Sequence, residues 1–463
     1  MRAMHPLNYN WLYTPQQVDA EVPDAAFEPV TLPHTNIELP WHNFKDSEYQ
    51  FISTYRKRFT LPEALNGRRL FVDFEGVMTA ATVSINGHTF EEHKGGFVPF
   101  SYDITDYIHE EGENLLTVSV DSRERADIPP HGGQVDYLVF GGIYRDVSLR
   151  YVETLHVSNV HVRTLDVLSE KPRVEVHIWV QNVADVEQDG RLQATIQNGS
   201  EHHFDESKAI AESHTEVRFP AASETRVVMT LEFDGQQDWH LWSLEDPYLY
   251  RCGISLRMDG GKSCLEGTFT FGFREAVFKE DGFYLNGEKI FLRGLNRHQL
   301  YPFIGAAAPA RLQRRDAEIV KEMGCNIVRT SHYPQDISFL DRCDEIGLLV
   351  LEEIPGWQHI GDEAWQDISV RDVRAMIERD WNHPSIVLWG VRINESGDNT
   401  DFYTRTNELA REMDPTRQTT GIRFWPHSEF LEDVYAYNDF TNGVLEPTHS
   451  PWIITEFNGH MFP

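Results

Sequence analysis

The chain has 463 residues, 40% hydrophobic and 25% charged, the balance of a soluble globular protein. At roughly 150 residues per domain, that length predicts about three domains. A formal net charge of −32 excludes nucleic acid and anionic membrane as partners, since both demand a basic surface. No stretch nears the about 18 apolar residues of a membrane span, and the N-terminus has no apolar signal core, so a cytoplasmic protein is expected. Cys252, Cys264, Cys325 and Cys343 show no CxxC spacing and read as free thiols. The 11 Trp and 17 Tyr suit either sandwich cores or sugar-binding faces.

Residues 1–152 read as all β. Short alternating runs recur at 54–59, 69–74, 81–85, 115–120 and 146–150, separated by Asn86-Gly87, Gly95-Gly96 and Gly141-Gly142. Regular strands without helical period predict a jelly-roll sandwich. Residues 153–275 continue in that style at 157–163, 173–181, 191–197, 225–233 and 250–258, with room for two weaker strands. Roughly seven strands over this length predict an immunoglobulin-like sandwich.

From residue 276 the texture changes to apolar strands alternating with helices, which predicts a parallel sheet. Strands are expected at 289–293, 325–329, 348–351, 386–391, 419–423, 434–437 and 452–455. Helices are expected at 311–323, with an apolar face of Ile319, Val320 and Met323, and at 336–346, 370–380 and 402–413. The fold class is thus multidomain β plus α/β, with two sandwiches followed by a (β/α)8 TIM barrel over 276–463. Seven strands rather than eight, in less than the typical length of about 250 residues, predict a barrel lacking its last strand in this chain.

In such a barrel the C-terminal strand tips line the site. The tips supply Arg293, Asn296, Arg297 and His298; then Arg329, Ser331, His332 and Tyr333; then Glu352 and Glu353; then Asn394 and Glu395. The last three tips supply Arg423 and Trp425, then Tyr437 and Asn438, then Glu456 with Asn458 and His460. A rim of His, Asn, Trp and Glu suits a neutral, hydroxyl-rich ligand. Glycosidic cleavage needs a protonated acid at the leaving oxygen and an ionised carboxylate beneath the anomeric carbon. The fourth and seventh strands sit across a barrel mouth, so Glu395 and Glu456 can face each other. Asn394 suits a sugar 2-hydroxyl, and a Tyr or Arg neighbour would keep Glu456 ionised. Glu352 and Glu353 read equally well as carboxylates holding Arg293 or Arg329. From the first sandwich, Asp121 and the P-P-H-G-G run at 129–133 are candidates to reach the cleft.

The motifs R-G-L-N-R-H at 293–298, N-I-V-R-T-S-H-Y-P at 326–334, C-D-E-I-G-L-L-V at 343–350, N-H-P-S-I-V-L-W at 382–389, N-E at 394–395 and I-T-E-F at 454–457 resemble glycoside hydrolase family 2. So do G-G-I-Y-R-D-V at 141–147 and F-G-F-R-E at 271–275. The resemblance implies a retaining mechanism with Glu395 as acid/base and Glu456 as nucleophile. It also implies that Asn394, His298 and His332 contact the sugar. Asn296, Tyr437, Trp425 and Asp121 complete the expected substrate-binding set. N-R-H-Q at 296–299 with S-H-Y-P at 331–334 is similar to the family's β-galactosidases. A β-glucuronidase or other β-glycosidase, and a non-catalytic carbohydrate-binding protein, are the alternatives. The large galactosidases hold magnesium through a Glu-x-His pair. Here the corresponding W-Q-H at 357–359 keeps His359 without the carboxylate, so no cofactor is required on this reading and magnesium is the alternative. The expected partner is an oligosaccharide or β-glycoside substrate, and a homo-oligomer is expected.

Overall fold

The computed structural model describes residues 3–40, 45–132, 135–199, 204–233, 240–258, 264–441 and 444–457. The strands Ala3–Pro6, Val147–Val152, Arg69–Phe74 and Phe100–Asp103 form one antiparallel sheet. It packs on a seven-stranded sheet built around Ile52–Phe59, Asn114–Asp121 and Ala80–Ile85. The alternation read from sequence is the burial pattern: along Asn114–Asp121 every second side chain points into the core. That core holds Trp11, Tyr55, Phe74, Val83, Leu116 and Leu149.

The second sandwich pairs a three-stranded sheet (Leu155–Leu165, Arg173–Asn182, Ser223–Glu232) with a four-stranded one (Ala211–Phe219, Gln188–Asn198, Tyr250–Met258, Cys264–Phe271). Its weaker strands, Ala211–Phe219 and Cys264–Phe271, carry exposed residues on their outer faces, which blunted their signal in the sequence.

The expected first barrel strand at 289–293 is corrected. Glu288–Ile290 instead closes an antiparallel sheet with Gly282–Leu285 and Ala276–Lys279. Phe278, Phe283 and Leu285 from this sheet pack with Leu349, Leu388 and Ile422 at the barrel's floor. The run at 289–293, K-I-F-L-R, is too short to show a period, so periodicity could not separate a hairpin strand from a barrel strand.

The barrel strands are β1 (Gly294–Asn296), β2 (Ile327–Arg329), β3 (Leu349–Glu353), β4 (Ile386–Gly390), β5 (Gln418–Arg423), β6 (Val434–Asp439) and β7 (Trp452–Phe457). They pair in parallel and in sequence order. β3 and β4 are buried at every position, which explains their unbroken apolar runs. β1 and β7 are the edges of this nearly closed sheet. A cleft of about 1480 Å³ lies between them, lined among others by Phe291, Trp452, Asn296, Arg329 and Glu456.

The helices are α1 (Ala310–Glu322), α2 (Ile337–Ile346), α3 (Glu363–Asp380) and α4 (Thr400–Met413). The side chains of Asp336, Asp362 and Asn399 accept backbone N–H bonds at the starts of α2, α3 and α4. Gly347 ends α2 in the left-handed conformation at φ 69°, as its glycine predicted. The expected face of α1 is corrected: Ile319 and Met323 are 41% and 65% exposed, while Gln313, Ala317 and Val320 turn inward. Gln313 is drawn in because its side-chain oxygen accepts from the buried Arg297 at 2.6 Å. No helix of the described residues is long and apolar enough to cross a membrane.

The N-H-P motif before β4 is a brace between domains. Trp381 Nε1 and Asn382 Nδ2 both donate to Val160 O of the second sandwich, each at 2.9 Å. His383 Nδ1 donates to Asp344 Oδ2 at 2.5 Å. Burial opposes its charge, but Asp344 and Asp380 outweigh that and push His383 up to about 9. A folded-state value above the unfolded 6.5 stabilises fully below pH 6.5 and fades as pH rises through 9. Wild type should therefore lose a few kcal/mol of this brace between about pH 6.5 and 9. His383→Asn should flatten that segment of the stability–pH curve in urea unfolding. An unchanged slope would show that His383 is not charged.

Candidate active site

Arg329 organises the rim. It ends β2 fully buried, and its guanidinium forks onto Glu353: Nε to Oε2 at 3.1 Å and Nη2 to Oε1 at 2.9 Å. Nη1 donates to Glu456 Oε1 at 2.6 Å and reaches Asn296 Oδ1 at 3.4 Å. Nη2 also donates to Asn394 Oδ1 at 2.8 Å. One cation thus ties together the tips of β1, β3, β4 and β7. Burial opposes its charge, yet Glu353 and Glu456 hold Arg329 above the usual guanidinium range. Burial also raises Glu353, against the pull of Arg329.

Glu395, five residues past the end of β4, is held at φ 55°, a left-handed conformation that costs a β-carbon residue of order 1–3 kcal/mol. Its N–H donates to Ile422 O at 2.9 Å, locking it to β5. Its carboxylate accepts from two amides, Asn438 Nδ2 on Oε1 at 3.0 Å and Gln358 Nε2 on Oε2 at 3.1 Å. Asn438 in turn lies 3.3 Å from Asn394 Oδ1. Glu395 and Glu456 therefore belong to one hydrogen-bonded network that runs through Asn438, Asn394 and Arg329.

His332 Nδ1 lies 2.7 Å from Glu353 Oε1 and 2.8 Å from Arg329 Nη2. Donation to the carboxylate is the charge-assisted choice, so Nδ1 carries the proton. Burial, then Arg329, holds His332 well below the usual imidazole range, so Nε2 keeps its lone pair, 3.9 Å from Glu456 Oε1. Burial, then His332, takes His298 down to about 3. Two neutral imidazoles at the rim suit hydroxyl groups rather than an anion.

Tyr137 joins them from the first sandwich, and nothing in the sequence singled it out. Its buried ring centroid is 5.4 Å from that of His298 and 5.8 Å from that of His332. Phe97 of the same sandwich stacks on Tyr333 at 4.3 Å. Tyr137 lies in the loop just before G-G-I-Y-R-D-V. Tyr137→Ala should destabilise the protein by about 3–5 kcal/mol and raise KM more than it lowers kcat, since the two histidines lose their backing. A KM within twofold of wild type would rule out that coupling.

Other expectations are corrected. Asp121 is not brought into the rim's hydrogen-bonded network: Arg123 donates to both its carboxylate oxygens, at 2.9 Å each. Burial raises Asp121, but those bonds prevail and lower it. Of the 129–133 run, Gly132 lies against His359; a Cβ there would sit 2.2 Å from His359 Nε2. Residue 133 is outside the described residues, as are Asn458 and His460. Tyr437 is buried against Trp452, ring centroids 5.3 Å apart, and Asn438 beside it bonds Glu395 instead. Strand alternation separates the two. Arg423 is spent on Glu432 and on Glu429 O. Trp425 stands 57% exposed beyond β5, edge-on to Phe424. Arg293 precedes β1 rather than ending it. Glu352 is fully buried beside Arg379 and Asp380, away from the rim network, and burial raises it well above its usual range.

A magnesium site beside Glu395 would need several converging oxygen acceptors. At 357–359 the chain supplies Trp and Gln but no carboxylate beside Glu395, and the His359 ring lies edge-on to Trp365 at 5.7 Å. Among the described residues, the three-ligand cluster with metal-compatible spacing is Asp341, Asp344 and His383, below β4 at the opposite end of the barrel. The residues around Glu395 do not fit the ion.

Two β-sandwiches followed by a parallel β/α barrel with paired glutamates at its rim define a class of multidomain barrel proteins. Three family descriptions match it in succession: the glycosyl hydrolase 2 galactose-binding domain-like domain over 18–163, the glycosyl hydrolases family 2 domain over 155–274, and the glycosyl hydrolases family 2 TIM barrel domain over 277–424. The chain belongs to glycoside hydrolase family 2. It is 43% identical over 484 residues to a β-galactosidase of Thermoanaerobacterium thermosulfurigenes, covering 100% of this chain and 66% of that one. It is 45% identical over 471 residues to a β-galactosidase of Thermoanaerobacter pseudethanolicus, covering 99% and 61%. The chain thus spans less than two thirds of these relatives' length. Among solved structures, a Bacteroides uniformis β-glucuronidase superposes with TM-score 0.82 at 28% identity, covering 95% of this chain and 55% of that one.

Proposed function

We propose that the protein is a retaining β-galactosidase, cleaving terminal β-D-galactosides through a covalent glycosyl-enzyme. The observation that carries this reading is the network in which Arg329 bonds both Glu456 and Asn394 while Asn438 bonds Glu395. Glu456, held by a guanidinium, is the nucleophile: it attacks the anomeric carbon as the glycosidic bond breaks. Glu395 gives its proton to the leaving oxygen, then takes one from the water that releases the sugar. Asn394 spends its oxygen on Arg329, which leaves its Nδ2 to donate to the sugar's 2-hydroxyl. His332 Nε2 accepts from a further hydroxyl, and His298 and Asn296 border the same face.

The identities of 43% and 45% to β-galactosidases support galactose as the sugar. A β-glucuronidase reading is favoured by the fold match above, and a sugar panel decides between them. Kinetics with aryl β-galactosides, β-glucuronides and β-glucosides should show the galactoside preferred, and a glucuronide preferred would reverse the assignment. A 2-fluoro galactoside should become attached to Glu456 in peptide mass spectrometry. Sugar binding by calorimetry without hydrolysis of any glycoside would leave a carbohydrate-binding protein.

A further inference from the structure

We infer that Oε2 is the oxygen of Glu395 that transfers the proton, and that Gln358 is the positioning residue that holds it in both protonation states. The inference rests on the reading of Glu395 as acid/base. Its first step is an assignment of atoms. A guanidinium only donates, so the Asn394 oxygen facing Arg329 Nη2 at 2.8 Å is fixed as an acceptor. The Asn438 atom 3.3 Å from that oxygen must then be the amide nitrogen. The same nitrogen lies 3.0 Å from Glu395 Oε1, so Asn438 can only donate there. A proton on Oε1 would meet another donor. The proton of the acid form therefore sits on Oε2, which faces Gln358 at 3.1 Å.

Gln358 is free to follow it. Its amide makes no other hydrogen bond among the described residues, and it is exposed. With Glu395 ionised, Nε2 donates to Oε2. With Glu395 protonated, half a turn of the amide presents the carbonyl oxygen to the proton. A cation, by contrast, would favour the ionised form alone. The backbone pins the partners together: Gln358 N donates to Asn394 O at 2.7 Å, and Trp357 bridges Asn394. Gln358 and Glu395 both hold left-handed conformations, at φ 57° and 55°. Two such residues in contact at a site point to function rather than accident.

In the first step, the glycosidic C–O bond and the Glu395 Oε2–H bond break, the leaving oxygen keeps the C–O pair and gains the proton, and Glu456 bonds to the anomeric carbon. In the second, water loses a proton to Oε2 and its oxygen displaces Glu456. Gln358 matters where proton transfer matters, which makes leaving-group dependence the discriminating readout. The test compares kcat/KM of wild type with Gln358→Met and Gln358→Gly on aryl, alkyl and sugar β-galactosides of graded leaving-group acidity, in the purified protein. The Gly variant also relieves the left-handed backbone, so strain cannot explain its loss. Both variants should lose about 10- to 100-fold on alkyl or sugar leaving groups, the worth of one hydrogen bond to a charged group. They should lose less than about threefold on dinitrophenyl galactoside, whose departure needs no acid. An equal loss on all leaving groups, or none on any, overturns the role of Gln358 while leaving the β-galactosidase reading intact. A wild type inactive on the whole series overturns both.

Discussion

Glu456→Gln is expected to lower kcat on an aryl β-galactoside by about 10⁴-fold or more, with KM little changed and stability near wild type. The substitution keeps size and the hydrogen bond from Arg329 Nη1, which reaches Oε1 at 2.6 Å. It removes the negative charge that must form the bond to the anomeric carbon. An amide cannot supply that charge, so the loss falls on the chemical step rather than on binding. Residual turnover above about 1% of wild type, after excluding contamination, would show that another group is the nucleophile. Recovery of a galactosyl azide of inverted anomeric configuration on adding azide to a Glu456→Ala variant would strengthen the assignment, since there the small anion occupies the volume the carboxylate left.

Arg329→Met is expected to cost both fold and activity. Its guanidinium makes the fork onto Glu353 and the contacts to Glu456, Asn394 and Asn296. Removing one partner of a buried pair strands the other, and the typical cost is about 3–5 kcal/mol. The deficit should depend on pH. Glu353 is already raised by burial with Arg329 in place, and without it would rise further. A folded-state value above the unfolded one favours the native state where the group is protonated, so the deficit grows as pH rises above about 4.5. Urea unfolding at pH 5 and pH 8 should therefore show a larger loss at pH 8. Arg329→Lys should recover part of the stability and little of the kcat, because an ammonium cannot fork onto Glu353 while reaching Glu456 and Asn394. A pH-independent deficit would mean that Glu353 does not carry the stranded charge.

Glu395 illustrates how the chain's own order conceals a site. The apolar run of β4 announced a buried strand, and its tip announced a carboxylate; both readings follow from local chemistry. The residues that hold Glu395 come from elsewhere. Gln358 precedes α3 and Asn438 ends β6, 37 and 43 positions away along the chain. Their alignment with Glu395 depends on strand register, and register is a property of pairing rather than of any one segment. The choice between Tyr437 and Asn438 shows this at a single position. Both lie at the tip of β6, and only the alternation of the folded strand sends Asn438 to Glu395 and Tyr437 against Trp452.

The sequence by itself determined the layers, the strand-end glutamates and the rim of neutral polar groups, because burial patterns and strand tips are written in neighbouring residues. Unbroken apolar runs were enough to place β3 and β4, and Asp336 with Gly347 was enough to bound α2. It could not separate the hairpin strand Glu288–Ile290 from the first barrel strand, since each is three residues long and too short to show a period. Nor could it find Tyr137, whose importance exists only once the first sandwich docks against His298 and His332. Arg329 was visible as one strand-tip residue among many. Only tertiary structure made it the hub, because a buried guanidinium must satisfy its donors from whatever carboxylates and amides the closing sheet brings within reach.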